Sequence, residues 1–273
     1  MKNRIIIPLL LTVFLSACTR NVFRKTNKVY RQKAKDFGKM YRQVNLLDPT
    51  AYRNPDRWVG TTNFGVRKPN LVVIHHTAQQ SCEQTLKTFT DPARVVSSHY
   101  LICEDGTVYQ LLNDLFRGHH AGAGMWGNIT DVNSESIGIE IDNDGFEPFT
   151  EEQMLSLEAL LTRLREKYKI PAANFIGHSD LAPTRKVDPS VYFDWKRLAD
   201  KGFGQWYEDT ISLNVPPAFD PVIGLKVIGY DVRDTTAAIV AFKRKYLDIE
   251  RDSTLSAQDT KVLYSLVLKS LRP

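Results

Sequence analysis

Cysteine is scarce in this chain, and its scarcity argues against one common kind of metal site. Three cysteines occur among 273 residues, and none lies in a Cys-x-x-Cys pattern. A metal site built on cysteine thiolates is therefore not expected. Cys18 ends the N-terminal segment, which leaves Cys82 and Cys103 as a pair that could form a disulfide in an oxidising compartment. The sequence does not show whether their Cα atoms are close enough.

The N-terminal segment lacks an apolar run long enough to cross a membrane. Lys2 and Arg4 come first, and residues 5–15 then form an apolar stretch of about eleven residues, short of the roughly 20 that a membrane-spanning helix needs. This pattern is typical of an export signal, so residues 1–18 carry no information on the fold.

The end of this segment, Leu15-Ser16-Ala17-Cys18, resembles the lipobox of bacterial lipoproteins. The resemblance implies that Cys18 becomes the acylated N-terminus and anchors the protein, because several acyl chains bind a membrane stably whereas one binds reversibly. The alternative is a soluble secreted protein cleaved nearby. Thr19, in place of an acidic residue, resembles lipoproteins that are forwarded to the outer membrane, where the protein would face the periplasm.

Positive charge is missing from the globular part, although the whole chain carries +5. Residues 19–45 contribute +8 and residues 1–18 contribute +2, so the remainder carries about −5. We therefore expect no nucleic-acid partner. The basic stretch, residues 19–50, is interpreted as a tether near anionic lipid or cell-wall carboxylates, and a merely solvated linker is an equal alternative. If extended, at roughly 3.3 Å per residue, it would span several nanometres.

Short strand patterns mixed with helix patterns predict an α/β domain, with a central mixed sheet flanked by helices, over residues 51–204. Residues 71–74 are typical of a buried strand, and Glu104-Asp105-Gly106 is typical of a hairpin turn. A capping box at Thr150 predicts the start of a helix. The further predicted strands are residues 99–103, 107–111, 136–142 and 174–177.

Three of the predicted strands carry a polar side chain at or near their ends. Period-two geometry sends His75 and His76 to opposite sides, so at most one of them faces a given pocket. The same geometry places Glu140 on one face with Gly138, which leaves space beside it. His178 ends the third strand. Taken singly, each of these side chains is more often structural than functional.

Together with the loop that follows His178, these side chains fit a catalytic metal site. Two imidazoles and one carboxylate, with a fourth position left open, make a tetrahedral zinc site suited to catalysis. Asp188 lies ten residues after His178, and Pro183 and Pro189 keep the intervening chain irregular, so both residues can reach one metal. Lys186 is then close to a substrate oxygen on which negative charge develops.

Six segments resemble, in order and spacing, the zinc-dependent N-acetylmuramoyl-L-alanine amidases of family 2: IHHTA, SSHYLICEDGTVYQLL, HAG, SIGIEI, GHSDLAPTRKVDP and FDW. The resemblance implies one zinc ion per chain, held by His75, His178 and Asp188, with Glu140 as the catalytic glutamate and Lys186 as the transition-state lysine. The implied reaction is hydrolysis of the amide bond between N-acetylmuramic acid and L-alanine, in peptidoglycan or its muropeptide fragments, for wall turnover or recycling.

Several positions depart from the family's pattern without removing a ligand. His76 stands where a tyrosine is common, Thr184 where a glycine is common, and His119 where a tryptophan is usual, while Ser190-Val191 replaces a usual Gly-Pro. These changes bear on substrate fit rather than on zinc. Because family members that bind peptidoglycan without cleaving it typically lack a ligand, the complete set favours an active enzyme over a non-catalytic peptidoglycan-binding lipoprotein.

Two side chains outside this set are candidates for the substrate cleft. His120 lies in a glycine-flanked segment, and Trp126 could offer a stacking surface for a sugar or peptide. The alternatives are an ordinary loop histidine and a ring that covers the edge of a core. His99 is expected in the core or behind a metal ligand rather than as a ligand itself.

The composition changes after residue 204. Prolines indicate a linker at residues 205–220, and apolar stripes predict three helices within residues 221–273. This small helical bundle resembles the peptidoglycan-binding-like domain of lipoprotein amidases, and a bundle that merely packs on the catalytic domain is the alternative. We expect a monomer.

Overall fold

The computed structural model of the protein describes residues 22–41, 61–63, 66 and 68–272. The predicted export signal and the predicted lipidation site Cys18 lie outside the described residues. The chain divides into two compact units, residues 1–62 and 63–273. Among the described helices, none is both long enough and apolar enough to cross a membrane.

In the first unit, a helix occupies part of the basic stretch, residues 19–50, that is interpreted above as a tether. This helix, α1 (Arg24–Met40), has 17 residues. Lysine and arginine, which recur along it, are good helix formers. A helix rises about 1.5 Å per residue, so these residues span less than half the length that an extended chain would span.

The second unit contains a five-stranded sheet with helices around it. The strands are β1 (Leu71–His76), β2 (Tyr100–Ile102), β3 (Val108–Gln110), β4 (Ser136–Ile141) and β5 (Phe175–Gly177). The helices are α2 (Cys82–Thr90), α3 (Val132–Glu135), α4 (Glu151–Tyr168), α5 (His178–Leu181), α6 (Trp195–Asp200), α7 (Pro221–Val227), α8 (Thr235–Leu247) and α9 (Ala257–Ser270), and a 3-10 turn covers Ala172–Asn174. The predicted α/β class, with a mixed sheet flanked by helices, is confirmed.

The order of the strands brings three carboxyl ends together. The order across the sheet is β3-β2-β4-β1-β5. β1 runs parallel to β4 and to β5, and β2 runs parallel to β4, whereas β3 pairs antiparallel with β2 at one edge. The carboxyl ends of β4, β1 and β5 therefore lie side by side at one end of the sheet.

Alternation along the strands divides their side chains between two faces. On the face that we call the apolar face, Ile74 and Ile139 pack against the buried stripe of α4, which includes Leu157. α4 begins at the predicted capping box, in which the Thr150 hydroxyl accepts from the backbone N–H of Gln153. The opposite face, called the site face, carries the functional side chains.

Cys82 and Cys103 form a disulfide, and their Cα atoms lie 5.4 Å apart. The bond joins the first residue of α2 to the residue that follows β2. α2 itself was not predicted from the sequence, although Ser81 caps it by accepting from the backbone N–H of Gln84.

The three C-terminal helices, α7, α8 and α9, pack together and are called the bundle below; the assignment of residues 221–273 as a separate domain stays a prediction. The segment predicted as a linker, residues 205–220, is irregular but held against α9. Glu208 pairs with Arg272 there, and Lys269 donates to the backbone carbonyl of Trp206. Prolines explain the irregular backbone, while the ring of Trp206 packs against both hydrophobic cores of this unit.

Candidate metal centre and active site

Neighbouring parallel strands bring the predicted site residues into one pocket. His75 on β1 lies in register beside Glu140 on β4, and residues in register on adjacent strands point to the same face. His178 follows β5 directly, as the first residue of α5. Asp188 belongs to the loop that returns from α5, where its backbone carbonyl accepts from the N–H of Ser179.

The three predicted ligands converge on one point. Nδ1 of His75 lies 2.9 Å from Nδ1 of His178 and 3.0 Å from Oδ2 of Asp188, and these last two atoms are 3.0 Å apart. All three side chains are buried. Within the part of the chain that the structure describes, this is the one group of His, Cys, Asp or Glu side chains placed to share a metal ion.

A hydrogen bond on the side of the ring that faces away from the pocket fixes the orientation of His178. Nε2 of His178 donates to the backbone carbonyl of Ala121 at 2.9 Å. The guanidinium of Arg185 donates to the same carbonyl, and also to that of Ala123. A neutral imidazole carries one proton, so a proton on Nε2 leaves Nδ1 with its lone pair facing the pocket.

A chain of hydrogen bonds through His120 and Ser136 fixes the His75 ring. The Ser136 hydroxyl determines which atom donates in each of these bonds. Ser136 Oγ donates to the carbonyl of Val132 at 2.6 Å, so it accepts from Nε2 of His120 at 3.2 Å. Nδ1 of His120 then accepts from Nε2 of His75 at 3.1 Å. Nδ1 of His75, like that of His178, is thereby left as an acceptor.

These assignments make the pocket a good fit for a divalent cation such as zinc. Burial, followed by the charge of His178, lowers the pKa of His75 to about 4, so this imidazole is neutral at pH 7. Asp188 adds a carboxylate oxygen, Oδ2, at 3.0 Å from both Nδ1 atoms. Two imidazole lone pairs and a carboxylate oxygen within 3.0 Å of one another repel each other unless a cation lies between them, and this donor set suits zinc.

Glu140 and Lys186 lie beside the three ligands. Glu140 is buried, and its burial, together with the negative charge of Asp188, raises its pKa well above the usual range, while the charge of Lys186 acts in the opposite direction. Lys186 is half-buried, and its backbone N–H donates to the carbonyl of Ala182 in a tight turn after α5. The Glu140 carboxyl and the Lys186 side chain therefore lie close enough to the predicted ligands to act on them electrostatically, while their catalytic roles stay predictions.

The two predicted substrate-binding residues have different surroundings. His120 lies behind His75, in the space left by Gly138, where an added Cβ would lie 2.4 Å from the His120 ring. Trp126 is only 8% exposed and packs edge-on against Tyr230, which follows α7. This burial favours the alternative, a ring that covers the edge of a core, and the substrate-binding role of Trp126 stays a prediction.

His99 is fully buried and is not among the three candidate ligands, which agrees with the core position expected for it. Its Nδ1 accepts from the backbone N–H of Gly138, and its Nε2 donates to the carbonyl of Phe116. The roles of Ser136 and Arg185 were missed from the sequence. Ser136 shares with Glu140 the period-two face of β4, and that pattern was a signal that could have found it.

Comparison with known proteins agrees with this site. Residues 65–191 match the sequence profile of the N-acetylmuramoyl-L-alanine amidase family. The N-acetylmuramoyl-L-alanine amidase AmiD of Escherichia coli is 36% identical over 152 residues, which are 50% of this chain and 54% of that protein. The chain thus spans about half the length of this curated relative.

Two solved structures resemble a larger part of the chain. The structure of AmiD from E. coli, in complex with the substrate anhydro-N-acetylmuramic acid-L-Ala-D-γ-Glu-L-Lys, aligns with a TM-score of 0.67 at 26% identity and covers 82% of this chain and 97% of the other. AMPDH3 from Pseudomonas aeruginosa, in complex with anhydromuramic pentapeptide, aligns with a TM-score of 0.66 at 27% identity and covers 80% and 98%. Residues 65–191 are therefore similar to the N-acetylmuramoyl-L-alanine amidase family, and the likeness to the two solved structures extends beyond these residues.

Proposed function

We propose that this protein is a zinc-dependent amidase, which hydrolyses the amide bond between N-acetylmuramic acid and L-alanine in peptidoglycan or its muropeptide fragments. The observation that carries the proposal is the convergence of His75, His178 and Asp188 beside the buried carboxyl of Glu140. The two related structures in complex with anhydromuramyl peptides support this class of substrate.

His75, His178 and Asp188 would hold the zinc ion, through two Nδ1 atoms and one carboxylate oxygen. A zinc ion held there supplies Lewis acidity, which lowers the pKa of water and polarises a carbonyl group. The hydrogen bonds behind the two histidines keep both Nδ1 lone pairs turned to the ion, as is usual for metal-binding histidines.

Glu140 is the proposed proton carrier. It accepts a proton from the attacking water and transfers it to the nitrogen of the departing L-alanine. Burial and the charge of Asp188 raise the pKa of Glu140, and a raised pKa makes its carboxylate a stronger proton acceptor. Lys186 donates a hydrogen bond to the carbonyl oxygen as negative charge develops on it.

Digestion of purified peptidoglycan tests this function against the alternative of a non-catalytic peptidoglycan-binding lipoprotein. An amidase releases free stem peptides that mass spectrometry detects, whereas a binding protein sediments with the polymer and releases none. Zinc content alone does not separate the two, since both can carry the metal. Rates measured on anhydro and non-anhydro muropeptides would then define the preferred substrate.

We also propose that the protein is lipid-anchored through Cys18 in the cell envelope, at the outer membrane and facing the periplasm. The support is the sequence Leu15-Ser16-Ala17-Cys18 followed by Thr19. Cys18→Ala should leave the hydrolase active and release it into the soluble fraction. If the variant still sediments with outer membrane after a salt wash, the lipid anchor is not what holds it there.

A further inference from the structure

We propose that the C-terminal bundle is a structural part of the metal centre, in which Lys245 and Tyr230 position the ligand His178 through Asp180. The inference rests on the proposed zinc site. Asp180, Lys245 and Tyr230 are positioning residues, since none of them is among the metal ligands. The bundle therefore has a role in the active site, whether or not it also binds peptidoglycan.

Asp180 connects the bundle to the segment that carries His178 and Asp188. It lies on α5 and is completely buried. Its Oδ2 accepts from Nζ of Lys245 on α8 at 2.6 Å, and its Oδ1 accepts from the hydroxyl of Tyr230 at 2.8 Å. Both donors come from the C-terminal part of the chain, so the catalytic region alone leaves this carboxylate without its charged partner.

Lys245 is held in place by more than its ion pair. It is 3% exposed, and its Nζ lies 4.1 Å from the centroid of the Trp195 ring, on α6 of the catalytic region. A buried ammonium group is strongly unfavourable unless it is paired and hydrogen-bonded. The position of α8 against α5 and α6 is therefore tightly specified.

Asp180 in turn restrains the backbone that carries the ligands. Its Oδ2 also accepts from the backbone N–H of Gly177 at 2.8 Å, and Gly177 immediately precedes His178. The next residue, Ser179, donates from its N–H to the carbonyl of Asp188 at 2.8 Å. Asp180 thus lies between the bundle and two of the three ligands, and metal affinity depends on ligand positions to within about 0.5 Å.

A second buried ion pair in the bundle provides a matched control. Lys243 lies on α8, two residues before Lys245, and is 2% exposed. Its Nζ pairs with Asp259 on α9 at 2.8 Å and with Asp252. Lys243 and Asp259 share the chemistry and the burial of Lys245 and Asp180, but their pair stays inside the bundle.

The experiment compares two double variants of the full chain, Lys245→Met/Asp180→Asn and Lys243→Met/Asp259→Asn. Each replaces a buried ion pair by neutral side chains of similar size, so neither leaves a buried unpaired charge; Asp252, which also loses Lys243, is 41% exposed to water. The amide oxygen that replaces the Asp180 carboxylate can still accept from the N–H of Gly177. The measurements are the zinc dissociation constant, by competition with a chromophoric chelator, and amide hydrogen exchange of metal-free protein over residues 175–190.

We expect the Lys245→Met/Asp180→Asn variant to bind zinc about tenfold more weakly, at the lower end of the effect of removing an outer partner of a metal ligand. Its residues 175–190 should exchange faster, while the Lys243→Met/Asp259→Asn variant should match the wild type in both measurements, even if its melting temperature falls. Equal zinc affinity and equal exchange in the two variants would overturn the proposal. If the first variant does not fold, Tyr230→Phe, which removes a single hydroxyl, gives the same comparison.

The exchange measurement separates this inference from the proposed function. If the wild type binds no zinc but the exchange difference appears, the metal site is wrong and the positioning of the α5 segment by the bundle stands. If the wild type binds zinc tightly and the two double variants behave alike, the metal site stands and the positioning role fails.

Discussion

The two faces of the central sheet use adjacent residues of the same strands for different purposes. On the apolar face, Ile74 and Ile139 pack beneath α4. One residue further along each strand, His75 and Glu140 are buried on the site face. The apolar face requires volume, which several aliphatic side chains supply, whereas the site face requires particular atoms at particular distances. Substitutions at neighbouring positions should therefore separate stability from chemistry.

The largest effect is expected from Asp188→Ala. Removal of the one carboxylate among three ligands should abolish zinc binding and amide hydrolysis together, because two histidines alone bind zinc weakly. Metal analysis of the purified protein and release of stem peptides from peptidoglycan measure the two losses. Val187→Ala, at a half-exposed neighbouring side chain, is the control and should keep both. Zinc retained by Asp188→Ala would contradict the ligand assignment.

Glu140→Ala should separate metal binding from turnover. We expect normal zinc content with turnover reduced by about 10²–10⁴, the usual contribution of a general acid-base group. Glu140→Gln keeps the shape of the side chain and should lose a similar amount, since an amide does not carry the proton. Near-normal turnover in either variant would mean that another group is the base.

Ile139→Ala tests the apolar face next to Glu140. Its side chain is fully buried, and loss of this volume should lower the free energy of unfolding by about 2–5 kcal/mol. Urea denaturation measures this loss. Turnover per zinc-loaded, folded molecule should stay unchanged. A variant that kept its stability but lost turnover would show that the two faces are not separable in this way.

The smallest effect on chemistry is expected from His76→Tyr. His76 is next to His75 but points to the opposite side of the sheet, and its Nδ1 is buried without a hydrogen-bond partner among the described residues. The variant should bind zinc and hydrolyse substrate as the wild type does, because it removes no contact with a ligand. A loss of zinc would place His76 in the metal site.

The convergence of the three candidate ligands was predictable from the sequence because local rules place each of these side chains at the same end of the predicted sheet. Period-two alternation separates His75 from His76, and the same rule places Glu140 on the face with Gly138. The loop from His178 to Asp188 carries the strongest family resemblance. In the structure these residues meet at 3.0 Å, although no local rule gives a distance.

Contacts between distant parts of the chain were not predictable in this way. Lys245 and Asp180 are 65 residues apart, and no periodicity or spacing links one to the other. For a similar reason the sequence left open whether Trp126 faces substrate or covers the edge of a core, since its aromatic ring gives no local sign that Tyr230 will pack against it. Such pairings depend on how the bundle docks, which the sequence pattern of each element does not specify.

The buried pair of Lys245 and Asp180 also limits how such a protein can be assembled by exchange of gene segments. A boundary drawn at residue 204, where the composition changes, runs between the two partners. A catalytic segment transferred without the bundle would lose both side-chain donors to Asp180. Joined to a different bundle that covered Asp180 without a cation, it would bury an unpaired carboxylate, a change that destabilises proteins by roughly 3–5 kcal/mol. The two segments are therefore expected to be inherited, recombined and engineered as one piece.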